Sequence, residues 1–459
     1  MNSLRVVRAA TIAVALSMLP VAAHAETLRE ALASAYKNNP NIMSALLSVK
    51  ATAEGIAIAK SGKLPTIALS GDVGGSFAAG PGSEAAYGDG FHTDYNYSAG
   101  ASYSQTLFDN FKTESQIEQA RALTEVSKYS LRNAEQNVLL SVVQAYFGVI
   151  RDTQLVQLRQ ENISFFDAQV NSASDRLRLG EGTKIDVSQA QARQAQAVAS
   201  YKSAIASLQT SQASYQRWVG HKPKGLTGEF TFGKLLPTSI DSAIASADDH
   251  HPALLSARAS IRVAQAGSDA AEAAFGPTLN LIGSLCAIGC FNDNSVTGMT
   301  GSVNLKLSIP IYSGGALSGS LRKANLEQVK SEVDALSTRD EIRESVISSW
   351  STLQNATSQI ESAQSSVASN QLVVDGTIQE RDVGQKTTLD VLNAQADLTS
   401  ARETLITARA TKMIAAFALL AASGRLSAED MKLNVEVKSA DGYISSVEKV
   451  WAELRVIND

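Results

Sequence analysis

The chain has 459 residues, with 40 Lys and Arg against 45 Asp and Glu, which gives a formal net charge of −5. An acidic chain without a Lys/Arg cluster argues against nucleic acid as a partner. Two cysteines are too few for a disulfide scaffold or a multi-thiolate metal site, and no metal or cofactor is expected. Beyond the first 25 residues no unbroken apolar run approaches ~18 residues, which argues against a membrane-spanning helix but leaves a β-barrel open.

The first 25 residues are typical of a secretory signal peptide. Arg5 and Arg8 supply the positive start, an apolar stretch follows, and Ala23-His24-Ala25 is a cleavage site of the A-x-A kind. The mature chain is therefore expected to begin at Glu26 and to be exported. No cysteine stands at this site, so a lipid anchor there is not expected.

Four short motifs occur twice in the same order, which indicates an internal duplication. Two pairs are separated by 212 residues and two by 204. The pairs are Asn39-Pro40 with His251-Pro252, Leu64-Pro65-Thr66 with Gly276-Pro277-Thr278, Leu107-Phe108-Asp109 with Ile311-Tyr312-Ser313, and 180–187 with 384–391.

Each repeat is predicted to contain a helix, a β-hairpin and a long helical hairpin. The predicted domains are a signal peptide at 1–25, a first repeat at 26–220 with its β-hairpin at about 64–108, an equatorial linker at 221–238, a second repeat at 239–425 with its β-hairpin at about 277–312, and a C-terminal equatorial segment at 426–459.

Two long stretches, 112–179 and 316–383, lack proline and contain almost no glycine. They are rich in residues that tolerate or favour helices. We predict two helices of about 68 residues, each ~100 Å long, which need coiled-coil-like packing. Shorter helices are expected at 27–62 and 239–275, each with an internal proline.

Residues 95–103 and 303–309 alternate between apolar and polar side chains, a period that predicts strands. Their hairpin partners are expected at 65–77 and 277–285. Four strands leave open edges, which lipid does not tolerate. Two chains would supply eight strands with a filled interior, and three chains would supply twelve strands around a channel. A soluble sheet with one wet face is the alternative. The predicted lipid-facing residues are Tyr95, Tyr97, Tyr103, Val303, Leu305, Leu307 and Ile309, and the lumen-facing ones are Asn96, Ser98, Ser102, Asn304, Lys306 and Ser308.

The chain resembles the TolC family of outer-membrane efflux and secretion ducts, in its non-lipidated branch. The resemblance spans about 27–425. It rests on the order of Asn39-Pro40, Leu64-Pro65, Gln105-Thr-Leu-Phe-Asp109, Ala145-Tyr-Phe-Gly-Val149, Gly180-x-x-Thr183-x-x-Asp-Val187, Leu307-Ser-Ile-Pro-Ile-Tyr-Ser-Gly-Gly315 and Val383-Gly-x-x-Thr387-x-x-Asp-Val-Leu392.

This resemblance implies an α+β, mainly α fold that forms a homotrimer. A twelve-stranded transmembrane β-barrel would sit in the outer membrane lipid, and a long α-helical barrel with a mixed equatorial collar would reach into the periplasm. It also implies a periplasmic membrane-fusion adaptor and an inner-membrane pump of the RND or ABC type as partners. The implied function is an exit duct of a tripartite efflux pump or a type I secretion system for drugs, toxic compounds or proteins.

The turns at 180–183 and 384–387 are predicted to form the periplasmic tip. Glycine suits the left-handed residue that ends a helix, threonine suits the N-cap that begins the next one, and an acid three residues later completes a capping box. In the two turns these residues are Gly180, Thr183 and Asp186, and Gly384, Thr387 and Asp390.

The resemblance gives several tip residues a gating role, with helix capping as the alternative for both aspartates. Asp186 matches a link acid, Lys386 the link arginine, Asp390 the first acid ring that narrows the entrance and binds cations, Asn393 the second acid-ring position, Arg381 the link tyrosine and Ile185 the threonine that it meets. The ring is thus expected to be less negative here and the tyrosine link absent. A lysine acts as a point charge, so the latch with Asp186 should be weaker than an arginine one.

Cys286 and Cys290 are expected to form a small disulfide in the loop of the second hairpin, because the protein is exported. A trimeric coiled-coil surface or adhesin protein with a barrel anchor is the alternative function. Nothing in the sequence predicts an enzyme, and the residues leave open whether the cargo is drugs or proteins.

Overall fold

The computed structural model describes residues 25–78, 92–228, 230–233, 235–290 and 298–449. The first repeat runs α1 (Leu28–Asn38), α2 (Pro40–Ser61), β1 (Thr66–Ala78), β2 (His92–Phe108), α3 (Lys112–Leu179) and α4 (Lys184–Val219). The second runs α5 (Ile240–His250), α6 (Pro252–Ala273), β3 (Thr278–Cys290), β4 (Gly298–Ser308), α7 (Ala316–Asp382) and α8 (Thr388–Ala422), and α9 (Asp441–Val447) follows.

The two long helices are confirmed almost to the residue. α3 has 68 residues and α7 has 67. Each begins after a left-handed residue, Phe111 for α3 and Gly315 for α7. Without proline nothing removes a backbone hydrogen bond inside either helix, so both continue to the tip.

The shorter helical stretches break at their prolines. Asn39 ends α1 and caps α2, and its Oδ1 accepts from the backbone N–H of Asn41 at 2.9 Å. His251 does the same between α5 and α6, where its Nδ1 accepts from the N–H of Ala253 at 3.2 Å. Burial lowers the pKa of His251, which favours the neutral ring that this acceptor role needs. Each proline then occupies the first helical position, where its missing N–H costs nothing.

Two equivalent hydrogen bonds, called joints below, connect shorter helices of each repeat. The hydroxyl of Ser34 in α1 donates to the carbonyl of Val219 at 3.2 Å, where α4 ends. The equivalent hydroxyl of Ser246 in α5 donates to the carbonyl of Ser423 at 3.1 Å, just after α8. The same contact thus occurs at the two sequence offsets of 212 and 204.

The strands form one antiparallel sheet in the order β1-β2-β3-β4. They extend beyond the predicted limits at several ends. The register places Ile67 opposite Tyr103, Tyr103 opposite Gly283 and Gly283 opposite Val303. The odd-numbered residues predicted to face lipid therefore share one face, except Ile309, which lies one residue beyond β4.

The other face of the sheet is polar. Ser102, Ser284 and Ser302 stand opposite one another on successive strands, and the hydroxyls of Ser284 and Ser302 are 2.9 Å apart. On the apolar face Leu69 is 84% exposed and Val303 is 79% exposed. A large apolar face that the chain leaves uncovered marks a surface for lipid or protein.

The helices form a wall in which α3 is central. α2 and α4 pack on one side of α3, α6 and α8 pack on the other, and α7 lies beyond α6 and α8. Near mid-height, residues of 226–236 and 426–444 pack on α1 and the middle of α3 in one apolar cluster. Its largest fully buried side chains include Tyr36, Tyr146, Tyr215 and Phe417.

Two described helices, Pro40–Ser61 and Thr388–Ala422, are long enough to cross a membrane and reach a mean hydropathy of 1.5. The sequence-based expectation that no helix could span a membrane counted only unbroken apolar runs. It therefore missed these two helices, which pass the test of mean hydropathy. In α8, Phe417, Leu419 and Leu420 are fully buried in the helical wall. Its apolar character therefore serves packing between helices.

Candidate functional site at the helical tip

Both tip turns have the same backbone form. Gly180 and Gly384 have φ of +79° and +80°, a region that residues with a Cβ enter at a cost. The amides after them return to the preceding turn, as when the N–H of Gln385 donates to the carbonyl of Glu380 at 2.8 Å. The chain thereby reverses within a few residues.

Each turn ends in a capping box, as predicted. The hydroxyl of Thr183 accepts from the N–H of Asp186 at 3.2 Å, and Oδ2 of Asp186 accepts from the N–H of Thr183 at 3.0 Å. Thr387 and Asp390 repeat both bonds at 3.2 and 2.9 Å. Both aspartates therefore cap helices, whatever else they do.

At the second turn, Thr387 and Lys386 lower the pKa of Asp390. The backbone N–H of Thr387 lowers the pKa of Asp390 most, its hydroxyl contributes next, and the nearby Lys386 adds a smaller effect. Asp390 is thus held ionised. Among the residues that the structure describes, no ion pair joins Lys386 to Asp186.

Arg381 makes a contact that the sequence did not predict. It is 7% exposed near the end of α7, and its Nη1 donates to Oε1 of Gln169 in α3 at 2.6 Å. Its Nη2 pairs with Asp382 at 2.8 Å. Gln169 is 8% exposed. This buried hydrogen bond joins the helical hairpin of the second repeat to that of the first.

Asn393 also lies between the two hairpins. Its Oδ1 accepts from Nη2 of Arg193 in α4 at 3.0 Å. At the position where the resemblance implies an acid, the chain therefore has a neutral amide that binds an arginine of the other hairpin. Both Arg381 and Asn393 act as cross-links within one chain.

A buried polar network lies farther from the tip, between α3 and α8. Oδ1 of Asn162 accepts from Nε2 of Gln395 at 3.2 Å and from the hydroxyl of Thr399 at 3.1 Å. All three residues are at most 8% exposed. Such groups stabilise a unique packing only when they are satisfied, and here each has a partner.

The series continues with an ion pair between Arg159 and Glu403, whose atoms are 2.5 Å apart. Burial raises the pKa of Glu403, and Arg159 opposes that rise. Apolar contacts fill the space between the polar ones, with Phe166 and Leu392 in one cluster. Between the level of Arg159 and the level of Arg381 near the tip, side-chain contacts therefore connect the two helical hairpins at several successive heights.

Comparison with protein families gives a decisive match. The family model described as "Outer membrane efflux protein" matches residues 31–221 and 243–425. The chain belongs to the outer membrane efflux protein family. The two matched segments correspond to the two repeats.

Curated relatives agree with this membership. The chain is 35% identical over 439 residues to the outer membrane efflux protein BepC of Brucella suis, with 95% of this chain and 93% of the relative covered. It is 24% identical to the outer membrane protein TolC of Escherichia coli, covering 92% and 86%. It is 26% identical to the alkaline protease secretion protein AprF of Pseudomonas aeruginosa, covering 80% and 78%.

Solved structures show the same fold. The CmeC outer membrane channel of Campylobacter jejuni has a TM-score of 0.76 at 17% identity, covering 92% of this chain and 89% of that one. CusC has a TM-score of 0.75 at 20% identity, covering 86% and 92%. The predicted mainly helical fold with a small sheet is confirmed.

As a member of the outer membrane efflux protein family, the protein is an outer-membrane channel that extends into the periplasm. This confirms the prediction of a duct rather than an enzyme. The alternative of a surface adhesin has no support among the relatives.

The predicted disulfide is wrong. Cys286 is free, and both cysteines lie in strand β3 rather than in a loop. Four residues of extended chain separate their Cα atoms by ~13 Å, beyond the ~7 Å limit for a disulfide. The small residues Gly283 and Gly289 interrupt the alternation that would have revealed the strand.

Proposed function

We propose that three copies of the chain form an exit duct, closed at its periplasmic tip, through which partner pumps export their cargo. The observation that carries this proposal is the pair of uncovered edges that a single chain leaves. Strands β1 and β4 pair on one side only, and three sheets joined at these edges would give twelve strands. A closed sheet of this size leaves an open interior.

The helical wall has matching free edges. On α7, four large apolar residues are 54–69% exposed at spacings of three and four residues, which is a coiled-coil seam. On α2, Leu47 and Ile58 are 55% and 72% exposed. The α7 residues are Leu326, Val329, Val333 and Leu336.

The internal repeat fixes which levels would meet. Ser268 of α6 contacts Asn325 of α7, with the two side-chain oxygens 2.5 Å apart. At the offset of 212, Ser268 corresponds to Ile56 in α2. If α2 of the next chain flanks α7 as α6 does, Leu47, nine residues farther from the sheet, lies level with residue 334, next to Val333.

Cysteine cross-linking tests this arrangement. In a background in which Cys286 and Cys290 are serine, Leu47→Cys with Val333→Cys should give covalent trimers under mild oxidation. Leu47→Cys with Leu326→Cys is the matched control, because its partners differ in level by ~12 Å. Equal cross-linking in both pairs, or none in either, would contradict the trimer with this seam.

At the tip, we propose that Lys386 of one chain pairs with Asp186 of its neighbour. In support, Lys386 is exposed and Asp186 is half-buried, neither forms an ion pair among the residues that the structure describes, and α7 lies at the free edge of the wall. An exposed pair contributes only ~0–1 kcal/mol, but threefold symmetry repeats it. Three Asp390 carboxylates around the axis would favour cations.

Single-channel conductance in a planar bilayer tests the gate. The wild type should show a small, cation-preferring conductance, and Lys386→Glu should enlarge it by placing like charges together. Lys184→Glu makes the same charge change at an exposed residue of the other turn and should have little effect. Equal conductance in wild type and Lys386→Glu would remove the latch, whereas no conductance from an intact trimer would remove the duct.

The partners that we propose are a periplasmic membrane-fusion adaptor and an inner-membrane pump of the RND or ABC type. The relatives' names cover both efflux and protease secretion, so cargo follows from the partner pump. Deleting the gene should sensitise cells to detergents and dyes if an efflux pump uses this duct. Loss of an exported protein with unchanged dye tolerance would assign it to secretion instead.

A further inference from the structure

The apolar cluster that residues of 226–236 and 426–444 form with α1 and the middle of α3, called the collar from here on, adjoins a buried acidic residue that lacks part of its hydrogen bonding. The Glu26 side chain is 10% exposed, and its Oε2 atom has no hydrogen-bond partner among the described residues. The hydroxyl of Tyr215, fully buried beside it, interacts with this carboxylate but is not aligned for a regular hydrogen bond. Burial, and after it the Glu26 carboxylate, raise the pKa of Tyr215. A buried carboxylate with an unfilled oxygen costs free energy unless a hydrogen-bond donor or a positive charge satisfies it.

The cation available in the unprocessed chain is weak. Nε2 of His221 lies 3.4 Å from Oε1 of Glu26 and is charged only when the ring is protonated. The His221 side chain is 38% exposed. Oε2 therefore faces the collar without a fixed counter-charge.

The backbone of Glu26 is held tightly on both sides. Its N–H donates to the carbonyl of Gly225 at 2.9 Å, with the carbonyl of Lys224 at 3.4 Å. Its own carbonyl accepts from the hydroxyl of Tyr146 at 2.8 Å, and residue 26 forms an isolated parallel bridge with Leu226. The nitrogen of Glu26 thus faces two carbonyl oxygens.

The predicted cleavage site is the peptide bond that joins Ala25 to this nitrogen. Cleavage after Ala25 would convert one neutral N–H donor into an ammonium group with three. Two protons would meet the carbonyls of Lys224 and Gly225, and the third would be available to the orphaned carboxylate oxygen of the same residue. Ala25 is exposed, so the peptide bond before Glu26 begins at the surface, and its cleavage would change the charge at the site.

We propose that the collar is a binding site for the α-ammonium group of Glu26 that signal-peptide removal creates, so that processing completes the fold of the collar. The ligand is a primary ammonium supplied by the chain itself. Capture of an amino terminus by backbone groups is a known recognition mode. Here the Glu26 carboxylate adds the charge that makes the site selective for the processed chain.

The first experiment measures the accessibility of this amine in the purified wild-type trimer. Mass spectrometry should find Glu26 as the first residue. A free α-amine has a pKa of about 7.7–8.0, against about 10.4 for lysine, so acylation near neutral pH reaches it first. Labelling of Glu26 should be on the order of tenfold slower in the trimer than in urea, a difference of ~1.4 kcal/mol. Lys184, which is exposed, is the internal control.

The second experiment is a double-mutant cycle. Glu26→Gln keeps the shape and removes the charge, and a Gly-Ser insertion before residue 26 moves the ammonium out of the site. Glu26→Gln should lower the melting temperature of the normally processed chain, and should leave unchanged or raise that of the extended chain, where the buried carboxylate has lost its ammonium partner.

A Glu26→Gln destabilisation that is present in the processed chain and absent or reversed in the extended chain, together with slow labelling, supports the site. Equal effects in both backgrounds, fast labelling in the trimer, or a mature chain that starts at another residue would each overturn it. The labelling experiment needs only wild-type protein, so the proposal stays testable if a variant does not assemble.

Discussion

Glu135 makes the stability of the collar dependent on pH. This residue of α3 is 8% exposed, and its Oε1 accepts from the backbone N–H of Ala428 at 2.6 Å. Burial raises the pKa of Glu135 from 4.5 to about 7, although the Ala428 hydrogen bond and Arg132 oppose the rise. The exposed Glu429 and its neighbour Asp430 add to it. The folded protein therefore binds this proton more tightly than the unfolded chain does.

The sign and size of the effect follow from this difference. Protonated Glu135 adds to the free energy of unfolding. This contribution is fully present below about pH 4.5 and is lost as pH rises through about 7. A change of roughly 2.5 pKa units corresponds to ~3 kcal/mol per chain. The perturbation is Glu135→Gln, which imitates the protonated acid and keeps an oxygen for the Ala428 amide.

The assay is thermal denaturation of the trimer in detergent between pH 5 and 8, followed by circular dichroism at one scan rate, since unfolding of such assemblies is often irreversible. Wild type should lose stability as pH rises, whereas Glu135→Gln should lose less and exceed wild type at pH 8. The two should converge near pH 5. Glu429→Gln is the matched control and should keep most of the wild-type slope. An unchanged slope in Glu135→Gln would refute the reasoning.

Two other predictions concern the tip and the sheet. Arg381→Met should lengthen open-channel events in the bilayer, because it leaves the buried Gln169 without its partner at a cost of ~1–3 kcal/mol; an unchanged open time would show that opening does not separate α7 from α3. Val303→Arg should reduce the yield of membrane-inserted trimer, since a lipid-facing arginine costs ~2–4 kcal/mol near the midplane, whereas Asn304→Arg on the opposite face should insert normally. Equal yields, measured by heat-resistant trimer on gels, would contradict the assignment of the two faces.

Local features of the fold could be read from the sequence because they depend on neighbours in the chain. The absence of proline determined the extent of α3 and α7, and the spacing of Thr183 from Asp186 predicted a capping box that the structure shows. The alternation of residues 95–103 assigned the correct faces of β2 because side chains point to opposite faces of a strand in turn.

The tip contacts could not be read in this way. Arg381 and Gln169 are 212 residues apart, and their meeting depends on how the two helical hairpins pack along their length, with α6 and α8 between α3 and α7. At position 381 the family resemblance predicted only that the tyrosine link is absent. In the structure, Arg381 forms a different link, to Gln169. Asn393 likewise acquires its role from Arg193, which no local pattern connects to it.

The joints at Ser34 and Ser246 have a mechanical consequence. At these levels α3 and α7 continue without interruption, while their neighbours change from one helix to another through a few hydrogen bonds and a separate buried apolar cluster at each joint. A continuous helix resists bending along its whole length, but a stacked junction can pivot at the cost of those few contacts. Bending of the helical wall is therefore expected to concentrate at these two joints, while α3 and α7 resist it.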